Sequence, residues 1–93
     1  MAQVQLFAYF REAVGKNEID TQAGNIYELI DNLIKDYGKL RGLLFESAEP
    51  GSHILKADVM ILVNGKNIEG LDSMKTKLKK SDIVSIFPPI CGG

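Results

Sequence analysis

The sequence closes on Phe87-Pro88-Pro89-Ile90-Cys91-Gly92-Gly93, and these residue types in this order suit acyl transfer from a chain end. Gly92 and Gly93 carry no Cβ, so such an end passes through a slot that admits only backbone and presents an unhindered carboxylate. A carboxylate is a poor acyl donor until it is activated. An ATP-using partner can adenylate it, after which a sulfur nucleophile gives a thiocarboxylate, or an amine gives an amide. Pro88 and Pro89 lack amide hydrogens and fix φ, so they cannot continue a central strand and should end the sheet. Extended at ~3.1 Å per residue, residues 88–93 would project on the order of 15 to 20 Å. A terminal Gly-Gly arises by chance in roughly 1 of 200 chains at average glycine usage, so the pair gains weight only from its setting after a strand.

No other chemistry competes for the role. His53 is the only histidine and Cys91 the only cysteine, so no spacing of Asp, Glu, His and Cys makes a metal site, and an iron–sulfur ferredoxin with its four cysteine ligands is excluded. Neither a phosphate-binding loop nor a nucleophile elbow is present. His53 reads as a turn residue.

The elements that must position such a tail follow from size and patterning. The chain has 93 residues, 45% apolar and 25% charged, with a formal net charge of -1. That is one domain with one core, residues 1–87 followed by a flexible tail at 88–93, and nothing in the charge balance points to nucleic acid. No apolar stretch approaches the ~18 residues of a membrane helix, and the N-terminal MAQVQLF lacks a signal-peptide pattern, so the expected location is cytoplasmic, away from membranes.

Val4 to Phe10 alternates and predicts a strand with Val4, Leu6, Ala8 and Phe10 on one face and Phe7 and Tyr9 on the other. Arg11 to Gly15 predicts a turn, and Asn17 to Thr21 a second strand. Asn25 with Glu28 forms a capping pattern ahead of Ile26, Leu29, Ile30, Leu33, Ile34 and Tyr37, which predicts a helix over 25–37 stopped by a left-handed Gly38. Leu40 to Phe45 predicts a short helical or irregular piece, and Glu49-Pro50-Gly51-Ser52 a turn. Ile54 to Val63 reads as a strand that reaches the hairpin dipeptide Asn64-Gly65, with Lys66 to Ile68 pairing back. Ile83 to Phe87 is the final strand.

This order predicts an α+β fold: a ubiquitin-like β-grasp, with a mixed sheet of four to five strands, one main helix on one face, and the first and last strands parallel at the centre. One helix covers one face only. With Val4, Leu6, Ala8, Ile61, Val84 and Ile86 turned toward it, Phe7, Tyr9, Phe87 and one or both of Met60 and Leu62 form an apolar patch on the other, a surface that points to a protein partner. The competing expectation is that the segment 40–52 or 66–80 folds over this face. Lys75, Lys77, Lys79 and Lys80 form a positive run of the kind that is usually a solvated face.

The tail and the strand order together resemble the small subunit of molybdopterin synthase, a ubiquitin-like sulfur carrier. The resemblance is carried by LFAYFREAVGK (6–16), ILVNGKNI (61–68), SDIVSIFPP (81–89) and Gly92-Gly93. It implies no permanently bound cofactor and no catalysis by the chain alone. An E1-like adenylating enzyme would use ATP on Gly93, which then becomes a thiocarboxylate. In a heterotetramer with the large subunit, the sulfur would pass to precursor pterin to form the dithiolene that holds molybdenum or tungsten. Gly93 would bear the sulfur, Gly92 with Pro88, Pro89 and Cys91 would form the neck, and Phe7, Tyr9, Met60, Leu62 and Phe87 would meet the partner. Cys91 departs from the family pattern, where a small residue such as Ala or Thr precedes the glycines. A ubiquitin-like modifier joined to lysines, a thiamin or tRNA-thiolation carrier, and a binding module that is never activated are the other readings.

Overall fold

The computed structural model describes residues 1–46, 54–56 and 59–87, with the backbone alone at Tyr9. In chain order the elements are β1 (Ala2–Leu6), α1 (Ala8–Val14), β2 (Glu18–Thr21), α2 (Ile26–Asp36), α3 (Lys39–Leu44), β3 (Met60–Val63), β4 (Lys66–Asn67) and β5 (Ile83–Phe87), with 3-10 turns at Ile68–Gly70 and Ser73–Lys75. The sheet runs β2-β1-β5-β3-β4. β1 and β5 are parallel, and the other pairings are antiparallel. The expected β-grasp layout is present, with five strands and the last strand at the centre.

Alternation sorts the side chains. Val4 and Leu6 on β1, Val84 and Ile86 on β5 and Ile61 and Val63 on β3 are buried, and they meet Ile26, Leu29, Ile30, Leu33 and Ile34 of α2 in one core. Helix α2 starts where the capping pattern put it: Asn25 Oδ1 accepts from the Glu28 amide at 2.9 Å, and Glu28 Oε2 accepts from the Gly24 amide at 2.8 Å. These bonds occupy amides that have no partner inside the helix. The crossover to β5 is tied to the same helix start, since Ile26 donates to the Thr76 carbonyl at 3.1 Å and Leu78 to that of Gly24 at 2.9 Å. Thr76, a buried polar residue, donates its hydroxyl to the Ser73 carbonyl at 2.7 Å and accepts from the Asp72 amide at 3.1 Å.

Four local expectations need correction. The first strand stops at Leu6, not Phe10: Ala8 takes a φ of 52° and begins α1, a departure that forms no ladder with β2 or β5. Phe10 is then fully buried in the core and Ala8 exposed. Tyr9 therefore sits in a helix, not on a strand face, and its side chain lies outside the described residues. The piece read as a turn is the end of this helix, closed by Gly15 at φ 83° with its amide on the Arg11 carbonyl at 2.8 Å. Gly38 is not left-handed: its φ is -55°, and it leads straight into α3. The strand expected from Ile54 begins only at Met60, with Leu55 bridging Phe45. The turn expected at 49–52 lies outside the described residues.

Candidate docking face

The face of the sheet turned away from α2 carries the residues that alternation leaves over. From one edge these are Glu18 and Asp20 of β2, Gln3 and Gln5 of β1, Ile83, Ser85 and Phe87 of β5, Leu62 and Met60 of β3, and Asn67 of β4. The middle row is uncharged, with Gln5, Ser85 and Asn67 beside the single apolar Leu62. The apolar character is concentrated at the end where β5 leads into residue 88.

Three side chains make that end. Phe7 is still extended, at φ -128° and ψ 152°, so it follows Gln3 and Gln5 onto the open face before α1 begins. There its ring stacks on that of Phe87, with centroids 4.4 Å apart and planes 10° from parallel. Met60 is the β3 partner of Phe87 in the sheet register and is 46% exposed. Aromatic stacking in this geometry orients both rings, and aromatic residues and methionine are enriched at protein interfaces. Leu62, opposite Ser85 in the register, is half-buried. Thus Phe7, Phe87, Met60 and Leu62 share one face as the sequence indicates, and Tyr9 is not part of that strand.

The described parts of the segments that the competing expectation set over this face pack elsewhere. Leu40, Leu44 and Phe45 are buried in the core shared with α2, as are Ile68 and Met74. Among the described residues, 40–46 and the segment after β4 therefore contribute their buried side chains to the helix side of the sheet.

One residue near this end lies outside the strand pattern. Arg11 of α1, an exposed residue, lines a hollow of about 220 Å³ with Gln5, Leu6, Phe7, Asn17 and Glu18, which sets it beside Phe7. Reading Arg11 as a turn residue hid this. The signal was available in Gly15 as a helix stop and in the helix formers of Ala8 to Val14. Ile83, at the other end of β5, is 39% exposed on the same face.

The tail residues Pro88, Pro89, Cys91, Gly92 and Gly93 lie outside the described residues. Among the described residues no group of three or more His, Cys, Asp and Glu side chains is placed to hold a metal ion, and no helix is long and apolar enough to cross a membrane.

A five-stranded mixed sheet grasping one long helix, with an open face and the last strand central, defines a ubiquitin-like β-grasp protein. The chain belongs to the ThiS family, whose model matches residues 4–93. It is 35% identical over 94 residues to small archaeal modifier protein 3 of Haloferax volcanii, covering 98% of this chain and 97% of that one. Its structure is similar to that of small archaeal modifier protein 1 from Methanosarcina acetivorans, with a TM-score of 0.88 and 36% identity over 99% of this chain and 95% of the other. It is also similar to a Pyrococcus furiosus protein provisionally assigned as molybdopterin converting factor subunit 1, with a TM-score of 0.69 and 31% identity over 96% and 97% of the two chains.

Proposed function

We propose that this chain is the sulfur-carrying small subunit of a molybdopterin synthase, working through Gly93 at the end of a tail formed by residues 88–93. The observation that carries the reading is the Phe7–Phe87 stack with Met60 beside it, at the end of the central strand that runs into Pro88. A partner gripping this platform holds the origin of the tail at a fixed distance from its own active site.

The chemistry then belongs to the chain end and its partners. Held by an E1-like adenylating enzyme, the Gly93 carboxylate attacks the α-phosphorus of ATP; pyrophosphate leaves and an acyl adenylate forms. A sulfide-equivalent nucleophile adds to the acyl carbon and expels AMP, leaving a thiocarboxylate. Docked on the large subunit, the thiocarboxylate gives its sulfur to precursor pterin and returns to a carboxylate after hydrolysis. Gly92 and Gly93 leave room around the acyl carbon for each attack, and Pro88 with Pro89 keeps the tail from pairing back onto the sheet. Phe87 and Met60 contribute position only.

A second reading has its own support in the two small archaeal modifier proteins at 35% and 36% identity: the activated Gly93 is captured by a lysine amine of a target protein, forming an isopeptide bond and releasing AMP. Intact mass spectrometry separates the two. Incubation with the adenylating enzyme, ATP and a sulfur source should replace one oxygen of Gly93 by sulfur, and the large subunit should co-purify. Isopeptide ladders on cellular proteins without that mass change would favour the modifier. A chain lacking Gly93 that keeps full function would sink both readings and leave a docking module. Cys91→Ala should leave sulfur transfer unchanged; a loss would assign the thiol a part in the exchange.

A further inference from the structure

One cluster outside the docking face joins the β3–β4 turn to the start of β5. Asn64 and Gly65 form the two-residue turn between the paired residues Val63 and Lys66, with φ of 50° and 85°. Both central residues take the positive φ that a type I′ turn requires. The Asn64 side chain is held at both ends of its amide. Its Nδ2 donates to Asp82 Oδ1 at 3.0 Å, and its Oδ1 accepts from the Ile83 amide at 2.9 Å, while its own backbone amide donates to the Ile83 carbonyl at 2.8 Å. The second oxygen of Asp82 accepts from the Lys79 amide at 2.7 Å. These bonds form a clamp that seats the first residue of the central strand.

The clamped residue is also the most reactive asparagine the sequence offers. In an Asn-Gly pair the backbone nitrogen of the glycine reaches the side-chain carbonyl carbon without a Cβ in the way. Among the described residues nothing lies within 4 Å of the place a Gly65 Cβ would occupy, and both turn residues are exposed. We propose that Asn64 is a deamidation site, restrained while its amide is clamped by Asp82 and Ile83, and that its acidic product releases the clamp.

The step balances without an enzyme. A base in solution takes the Gly65 amide proton, and the nitrogen attacks Asn64 Cγ. The Cγ–Nδ2 bond breaks, ammonia leaves after taking a proton, and a five-membered succinimide closes. Water opens the ring at either carbonyl, giving aspartate or isoaspartate. Closure needs the side chain to swing off Ile83 and Asp82, so the reaction has to wait for the clamp to open. The product cannot remake it: where an amide donated to Asp82, a second carboxylate now faces the first, and like charges at hydrogen-bond distance disfavour joint ionisation. An isoaspartate also adds a backbone atom to a turn that accepts only two residues.

The test follows the tryptic peptide spanning residues 57–66 in the full chain, held in warm, mildly alkaline buffer with and without urea and scored by mass for amide-to-acid conversion. In urea, wild type and Asp82→Ala should convert at the same rate. In native buffer wild type should convert on the order of tenfold more slowly than in urea, and Asp82→Ala should recover most of that difference, as expected from loss of a hydrogen bond to a charged group. Asp82→Asn, which keeps an acceptor but no charge, should fall between and carries the test if Asp82→Ala does not fold. No conversion at Asn64 in urea, equal wild-type rates in both buffers, or an Asp82→Asn rate equal to that of native wild type would overturn the proposal. The product mimic Asn64→Asp should unfold earlier than wild type at neutral pH, and the gap should narrow as acid protonates the facing carboxylates. Equal midpoints at neutral pH would contradict release of the clamp.

Discussion

The two faces of this one sheet are built from the same three central strands and differ in what covers them. On the side of α2, Val4, Leu6, Ile61, Val84 and Ile86 are sealed against the helix. One residue along each strand, Gln5, Phe7, Met60, Leu62, Ser85 and Phe87 line a face that no described element covers. The difference lies in where apolar bulk is placed. The covered face is apolar throughout, as a core must be. The open face is polar through Gln3, Gln5 and Ser85, with Leu62 and Ile83 as single apolar side chains, and its aromatic rings and Met60 come together where β5 ends.

That contrast predicts a separation of effects, with stability residing on one face and docking on the other. The largest change should come from the core: Leu29→Ala, in the middle of α2, removes a fully buried side chain and should cost about 2 to 5 kcal/mol of stability by urea unfolding, with docking of the folded fraction unchanged. Phe87→Ala should reverse the pattern. Loss of a central aromatic anchor typically costs about 2 kcal/mol or more of binding, readable by calorimetry, while stability should fall by only about 1 kcal/mol because the stack is worth about 0.5 to 1.5. Met60→Ser should be milder in both, within about 1 kcal/mol, since the methionine is already 46% exposed.

The smallest expected effect concerns pH. The Asp82 carboxyl is held below the ordinary aspartate range, first by the Lys79 amide and next by the Asn64 side chain, with burial opposing them and the positive charge of Lys79 adding least. A folded value below the unfolded one means its stabilising contribution is complete above the ordinary aspartate pKa and is lost as the pH falls through the lowered folded value. Asp82→Asn should therefore flatten the acid limb of a plot of unfolding midpoint against pH and leave its shape above neutrality unchanged. An acid limb as steep as that of wild type would contradict the assignment.

What the sequence made legible were the features with a strong local cause. Asn25 and Glu28 with the stripe from Ile26 to Ile34 specify α2; Asn64-Gly65 specifies the hairpin turn; the alternation of Ile83 to Phe87 specifies β5. The parallel β1–β5 pair followed from connection rules, and Phe7, Met60, Leu62 and Phe87 share the open face on which they were expected. The failure came at Ala8. Val4 to Phe10 alternates well enough for a strand, and the same residues from Ala8 on make a helix, so period alone does not choose between them. A backbone reversal at φ 52° decides it, sending Phe10 into the core, taking Tyr9 off the strand face and bringing Arg11 beside Phe7. Short helices such as α3 and the segment before Met60 were ambiguous for a related reason, being specified by tertiary packing more than by propensity.

The central claim is that the Phe7–Phe87–Met60 end of the open face docks the enzymes that act on Gly93. It is tested most directly by titrating the adenylating enzyme with wild type, with Phe87→Ala and with a chain lacking Gly93, each first shown to unfold near the wild-type midpoint. The chain lacking Gly93 should bind within a few-fold of wild type and accept no sulfur, whereas Phe87→Ala should bind at least about tenfold more weakly. Unchanged affinity for Phe87→Ala would contradict the account.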